Sequence, residues 1–147
     1  MNLFGLVVDN FPSVAAAIVL AALGGHIAWR TKQRERTLAA AASLRHSVLS
    51  ELVGLYPQPL DWPRDIHARL ARSLPALSAA IEQFRPFVPW YKRSHFTSVW
   101  NTFRCHCETD IPAQCDTANI LYGGAKVATA QALLIHDVQA LLSFASE

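Results

Sequence analysis

No Lys or Arg precedes Arg30, and no acidic residue lies between Asp9 and Glu35. A cleavable signal peptide carries its positive charge before the apolar stretch and a small-residue cleavage site after it, so that class does not fit. The catalytic signatures G-x-S-x-G, the Walker loop, G-x-G-x-x-G and H-E-x-x-H are all missing, which leaves no catalytic residue to assign and implies no cofactor. YGGAK at residues 122–126 has glycines and a Lys but not the spacing that cradles phosphate, and it reads as a turn before a helix. Three cysteines cannot all pair. A formal charge of +2 is too small to imply a nucleic-acid partner. No stretch alternates with period two, and no internal repeat is found.

What is present begins with VAAAIVLAALGGHIAW, which holds no charged residue and runs directly into RTKQRER at residues 30–36. Counted from Pro12 to Trp29, this apolar stretch sits at the short end of the roughly 17 to 25 residues a transmembrane helix needs. Pro12 suits a first helical turn, and Trp29 suits the interface, where its ring stays apolar and its N–H wet. Arg30, Lys32, Arg34 and Arg36 follow against a single Glu35, so the positive-inside bias places the C-terminal side in the cytoplasm. The expectation is an anchor over residues 12–29, with the N-terminus outside. The competing reading is a buried helix of a soluble domain, because Gly24, Gly25 and His26 dilute the segment. A neutral His26 reaching the nearby interface fits the anchor. Ala21 and Gly25 meet the small-xxx-small spacing only loosely, so homodimerisation is left open.

Residues 30–147 suffice for one domain with a sizeable core. Ala41, Leu44, Val48, Leu52 and Leu55 recur at helical steps, and two readings stand for the chain before them: one helix through RTKQRER, or a break within it. YPQPLDWP at residues 56–63 carries three prolines and is a connection. Asp61 is expected to cap a second helix bearing Ile66, Leu70, Leu74, Leu77, Ile81 and Phe84 on one face, with Pro75 either kinking it or opening a new helix after Ser73. Phe96, Val99, Trp100 and Phe103 mark another helix. HCETDIPAQCDTAN reads as a long loop. The last helix begins near Gly124 and runs through Val127, Ala130, Leu134, Val138, Leu141 and Leu142, with Gln131, Asp137 and Gln139 outside. The fold class is all-α, one N-terminal transmembrane helix joined to a small cytoplasmic bundle of about four helices.

Two groups of residues invite chemistry. Cys105, Cys107 and Cys115, with His95 upstream, are ligand types that zinc takes, and His106 or His136 could complete such a set; but C-x-C and a third Cys after seven residues is not a zinc-ribbon spacing. Free thiols are expected, with a metal-binding or thiol-based sensor as the alternative. Phe87, Trp90, Tyr91, Lys92 and Arg93 mix aromatic and basic residues in a segment that Pro86 and Pro89 hold out of regular helix, and loops tend to carry binding residues. These five are the expected contact patch for a protein partner. The bland alternative places Phe87 and Trp90 in the core.

The short anchor, the basic start of a long helix, FRPFVPWYKRSHFTSVWNTF at residues 84–103 and the apolar end LLSFASE together resemble a loose group of small uncharacterised bacterial membrane-anchored helical proteins. The resemblance covers most of the chain and carries no activity with it. It implies a bacterial inner-membrane protein. The reading is therefore a non-enzymatic, single-pass protein whose cytoplasmic helical domain is a protein-interaction module or an accessory subunit of a larger membrane complex.

Overall fold

The computed structural model describes residues 11–57, 62–63, 65–115 and 124–146, with side chains from Val19 onward. These residues form helices and turns, without a strand among them. The chain divides into two compact units, residues 1–37 and 38–147. Helix α1, Phe11–Glu51, contributes to both and is one helix through RTKQRER.

In the first unit the described side chains of α1 have little to pack on. Val19, Leu20, Leu23, Ile27 and Trp29 are all exposed, and His26 stacks on Trp29 at 6.3 Å between ring centroids. Among the described residues no helix is long and apolar enough to cross a membrane. The expected transmembrane helix over residues 12–29 is thus unsupported. Its described part, residues 19–29, includes Gly24, Gly25 and His26, and the side chains of residues 12–18 lie outside the described set.

The second unit has one core. Ala41, Leu44, Val48, Leu52 and Leu55 supply it from α1 and the turn that follows. That turn closes with Leu55 and Tyr56 N–H donating to Leu52 O at 2.9 and 3.0 Å. Gly54, at φ 83°, takes the left-handed conformation that ends α1 and that a side chain would oppose.

Helix α2, Ile66–Phe84, starts five residues after the expected cap; Asp61 lies outside the described residues, and Asp65 precedes the helix without a side-chain capping bond. Pro75 neither ends α2 nor lets Ser73 open a new one. Proline withholds an N–H from the carbonyl one turn back, but Ala71 and Pro75 both face solvent, where water satisfies it. Ser73 is buried instead and donates to Glu51 O at 3.3 Å, tying α2 to the end of α1. Arg69 reinforces the same junction by donating to Val53 O at 2.6 Å.

Two 3-10 turns, Arg85–Phe87 and Trp90–Lys92, lead into α3, Arg93–Cys105, which buries Phe96, Trp100 and Phe103. The stretch after Cys105, expected as a long loop, continues as a π-helical turn at His106–Asp110 and then α4, Ile111–Gln114. Residues 116–119 of it lie outside the described set. Phe103, Cys107, Ile111 and Cys115, spaced four apart, are all buried. Steps of four overshoot a turn of 3.6 residues, and the wider π turn absorbs part of that overshoot and keeps the row facing the core.

The last helix, α5, Gly124–Ser143, packs on α3 and α4 with Ala130, Leu134, Val138 and Leu141. It also buries Asp137, whose charge alone would place it outside. Past its end Phe144 closes on Phe96 at 5.1 Å, and Phe96 meets Phe84 at 5.8 Å, so α2, α3 and the C-terminal segment share one aromatic contact line.

Candidate functional site

The segment between α2 and α3 is short, proline-bearing and firmly held. Val88 is buried and fastens its middle to the core. On one side the Arg85 guanidinium donates to both oxygens of Glu82, at 3.0 and 3.1 Å, and to Thr97 Oγ1 at 3.0 Å. On the other side Arg93 donates from Nε to Val88 O at 3.0 Å and from Nη2 to Pro86 O at 3.2 Å. Two backbone bonds, Val88 N–H to Arg85 O and Lys92 N–H to Pro89 O, complete the two turns.

This bracing presents aromatic side chains to solvent. Trp90 is 81% exposed and Tyr91 64%, packed edge to face at 6.0 Å between centroids, while Phe87 is 37% exposed. The alternative that put Phe87 and Trp90 in the core is therefore not what the structure has. Val88 and Phe84 take the core places beside them. Phe87 also lines a pocket of about 150 Å³ together with Ala40, Ser43 and Leu44 of α1 and Ala80, Gln83 and Phe84 of α2.

The cysteines are not brought together as a ligand set. All three are unpaired; Cys105 is exposed, while Cys107 and Cys115 are buried. Burial pushes the Cys107 thiol up to about 12, and the negative charges of Asp137 and Glu108 push in the same direction. Burial also raises the Cys115 thiol, partly offset by Trp62, whose indole Nε1–H donates to Cys115 Sγ at 3.2 Å. A thiol held protonated is a poor nucleophile. His95 packs against Phe144, at 5.4 Å between ring centroids. Among the described residues no three His, Cys, Asp or Glu side chains are placed to hold a metal ion.

A different polar cluster joins the π turn to α5. The buried Asp137 carboxylate lies 2.6 Å from His106 Nδ1 and 3.3 Å from His136 Nδ1. A carboxylate only accepts, so each Nδ1 in this arrangement carries its proton. His106 Nε2 lies 3.7 Å from Asp110. What the pair achieves is a tie between α5 and the π turn. Sequence reading missed it, although Asp137 continues the buried row Ala130, Leu134, Val138, Leu141 at helical spacing.

No protein-family model matches the chain, and neither a curated protein nor a solved structure is similar to it.

Proposed function

We propose that this chain is a single-pass, membrane-anchored helical protein without catalytic activity, whose second unit serves as a protein-interaction module or accessory subunit. Residues 12–29 tether it and RTKQRER faces the cytoplasm of a bacterial cell, with the N-terminus outside the inner membrane. The partner contacts Phe87, Trp90, Tyr91, Lys92 and Arg93.

The observation that carries this reading is the exposed Trp90 and Tyr91 pair on a segment braced at both ends. Tryptophan, tyrosine and arginine are the side chains that dominate protein interfaces, because large rigid rings bury much area at small entropic cost. The anchor is proposed from the row Val19, Leu20, Leu23, Ile27 and Trp29, exposed along a stretch that carries no charge until Arg30, although no described helix is long and apolar enough to cross a membrane by itself. Apolar side chains in such a row are better accommodated in lipid than in water.

Two measurements test the parts separately. After cell fractionation the full chain should stay with the membrane through alkaline extraction, and a reporter fused at Glu147 should be active in the cytoplasm; recovery in the soluble fraction would remove the anchor. Affinity purification from native membranes should recover a partner with the wild-type chain but not with a Trp90→Ala, Lys92→Ala variant of unchanged melting temperature. Equal recovery would move the contact surface elsewhere.

A further inference from the structure

We propose that His106 is a proton-operated clasp. When its imidazole gains a second proton it joins Asp110 to the buried Asp137, and the π turn is then fastened by two carboxylates instead of one. The clasp is built from the π turn and α5 alone and owes nothing to the contact segment.

An uncharged imidazole carries one proton for its two nitrogens. At His106 that proton sits on Nδ1, which donates to Asp137 at 2.6 Å. Nε2 then keeps its lone pair, and it lies 3.7 Å from Asp110 Oδ2, which is an acceptor as well. That separation is too long for a hydrogen bond and suits two acceptors facing each other. A second proton makes Nε2 a donor, and a bond between imidazolium and carboxylate closes to about 2.7 to 2.9 Å. Asp110 is about half exposed and has room to swing in, whereas Asp137 is buried.

The bond would span the turn itself. His106 and Asp110 are its first and last residues, and Ile111 N–H donates across it to His106 O. Closing Nε2 on Asp110 therefore ties together the two ends between which this wide turn runs, while Nδ1 keeps its hold on α5.

The other charged groups around the turn leave the pair to itself. Glu108 faces Arg104 of α3 at 3.8 Å, and the Cys107 thiol is held protonated. On α5, His136 bonds the other oxygen of Asp137 and is mostly exposed, as is Lys126. On α2, Arg69 donates to Val53 O and Glu82 pairs with Arg85, while His67 and Arg72 face solvent. Helix α4 has no titratable side chain. Histidine is the side chain whose charge ordinarily changes between about pH 5 and 8. The clasp is thus open at the upper end of that range and closed at the lower end.

The test uses the full chain in detergent micelles with isotope-labelled histidine, followed by NMR at about pH 8 and about pH 5, the two ends of the histidine range. At the upper pH His106 should show the Nδ1–H tautomer, and at the lower pH protons on both nitrogens. Protection of the Ile111 amide, taken relative to its intrinsic exchange rate at each pH, should rise about threefold on acidification, the scale of a half-exposed ion pair. In Asp110→Asn the side-chain amide can donate to the uncharged Nε2, so protection should no longer follow pH. His136→Gln should leave the wild-type response intact. The proposal is overturned by an Nε2–H tautomer at the upper pH, by protection that does not change in the wild type, by a response that survives Asp110→Asn, or by one that disappears with His136→Gln. The tautomer is read on the unaltered chain, so the outcome stands even if a variant fails to fold.

Discussion

His106 and Asp137, 31 positions apart, meet through a 2.6 Å hydrogen bond that fastens the π turn to α5. The carboxylate is almost fully removed from water, whereas the imidazole is about one quarter exposed. Losing the partner therefore costs more on the aspartate side. His106→Ala leaves Asp137 with only the longer bond from His136, and thermal unfolding should show a loss of about 1 to 3 kcal/mol, the usual penalty for orphaning a buried polar group. Adding Asp137→Ala should then cost little more, or recover stability. A double variant as damaging as the two single losses summed would mean that the two side chains act independently.

The buried thiols make a prediction about high pH. Cys107 is raised from an ordinary 9.0 to about 12 in the folded protein. Below pH 9 both folded and unfolded chains keep this proton; above it the unfolded thiol ionises while the folded one does not, so unfolding becomes progressively easier. Melting temperature should fall from about pH 9 upward, and Cys107→Ala should flatten that fall relative to the wild type. In the native protein near pH 8, iodoacetamide should modify Cys105 while sparing Cys107 and Cys115 until denaturant is added. Native labelling of Cys107 at the rate of Cys105, read by mass spectrometry, would contradict its burial.

Burial also separates two aromatics six positions apart. Phe96 is fully buried and touches Phe84 and Phe144, whereas Trp90 faces solvent. Denaturant unfolding of Phe96→Ala should therefore show a loss of about 3 to 5 kcal/mol. Trp90→Ala should stay within about 0.5 kcal/mol of wild type, as surface substitutions do. A large loss at Trp90 would show that it packs against something the isolated chain needs for folding.

The rows Ala41 to Leu55, Ile66 to Phe84 and Leu134 to Leu141 are legible in the sequence because apolar residues recurring every three or four positions are what one buried helix face produces. The helix through Cys107 and Ile111 is not. Reading Cys105, Cys107 and Cys115 as possible ligands hides the step of four from Phe103 to Cys115, and Pro112 looks like a breaker although it stands in the first turn of α4, where a missing N–H is harmless. Asp137 reads as an outside residue by its charge alone. Its burial depends on His106, and no local pattern encodes that pairing. The contact segment is readable as irregular from its prolines, but the Arg93 and Arg85 braces require tertiary geometry that spacing does not reveal.

Those braces yield the remaining prediction. Arg93 holds Pro86 O and Val88 O from a single guanidinium, and this sets the course of the chain from which Trp90 projects. Arg93→Ala should cost the fold only about 1 kcal/mol, two partly exposed hydrogen bonds being replaced by water. The segment itself should loosen more than the fold does. Hydrogen exchange at the Val88 and Lys92 amides, both bonded within the two turns, should speed up, while exchange at core amides of α2 and α5 stays near wild type. Arg93→Lys should not restore protection, because a single ammonium lacks the planar fork that reaches both carbonyls at once. Partner recovery should fall in parallel with the lost protection although Trp90 and Tyr91 remain in place, since a mobile contact must be ordered at the moment of binding. Unchanged exchange at Val88 in Arg93→Ala would mean that Pro86, Pro89 and the buried Val88 hold the segment by themselves.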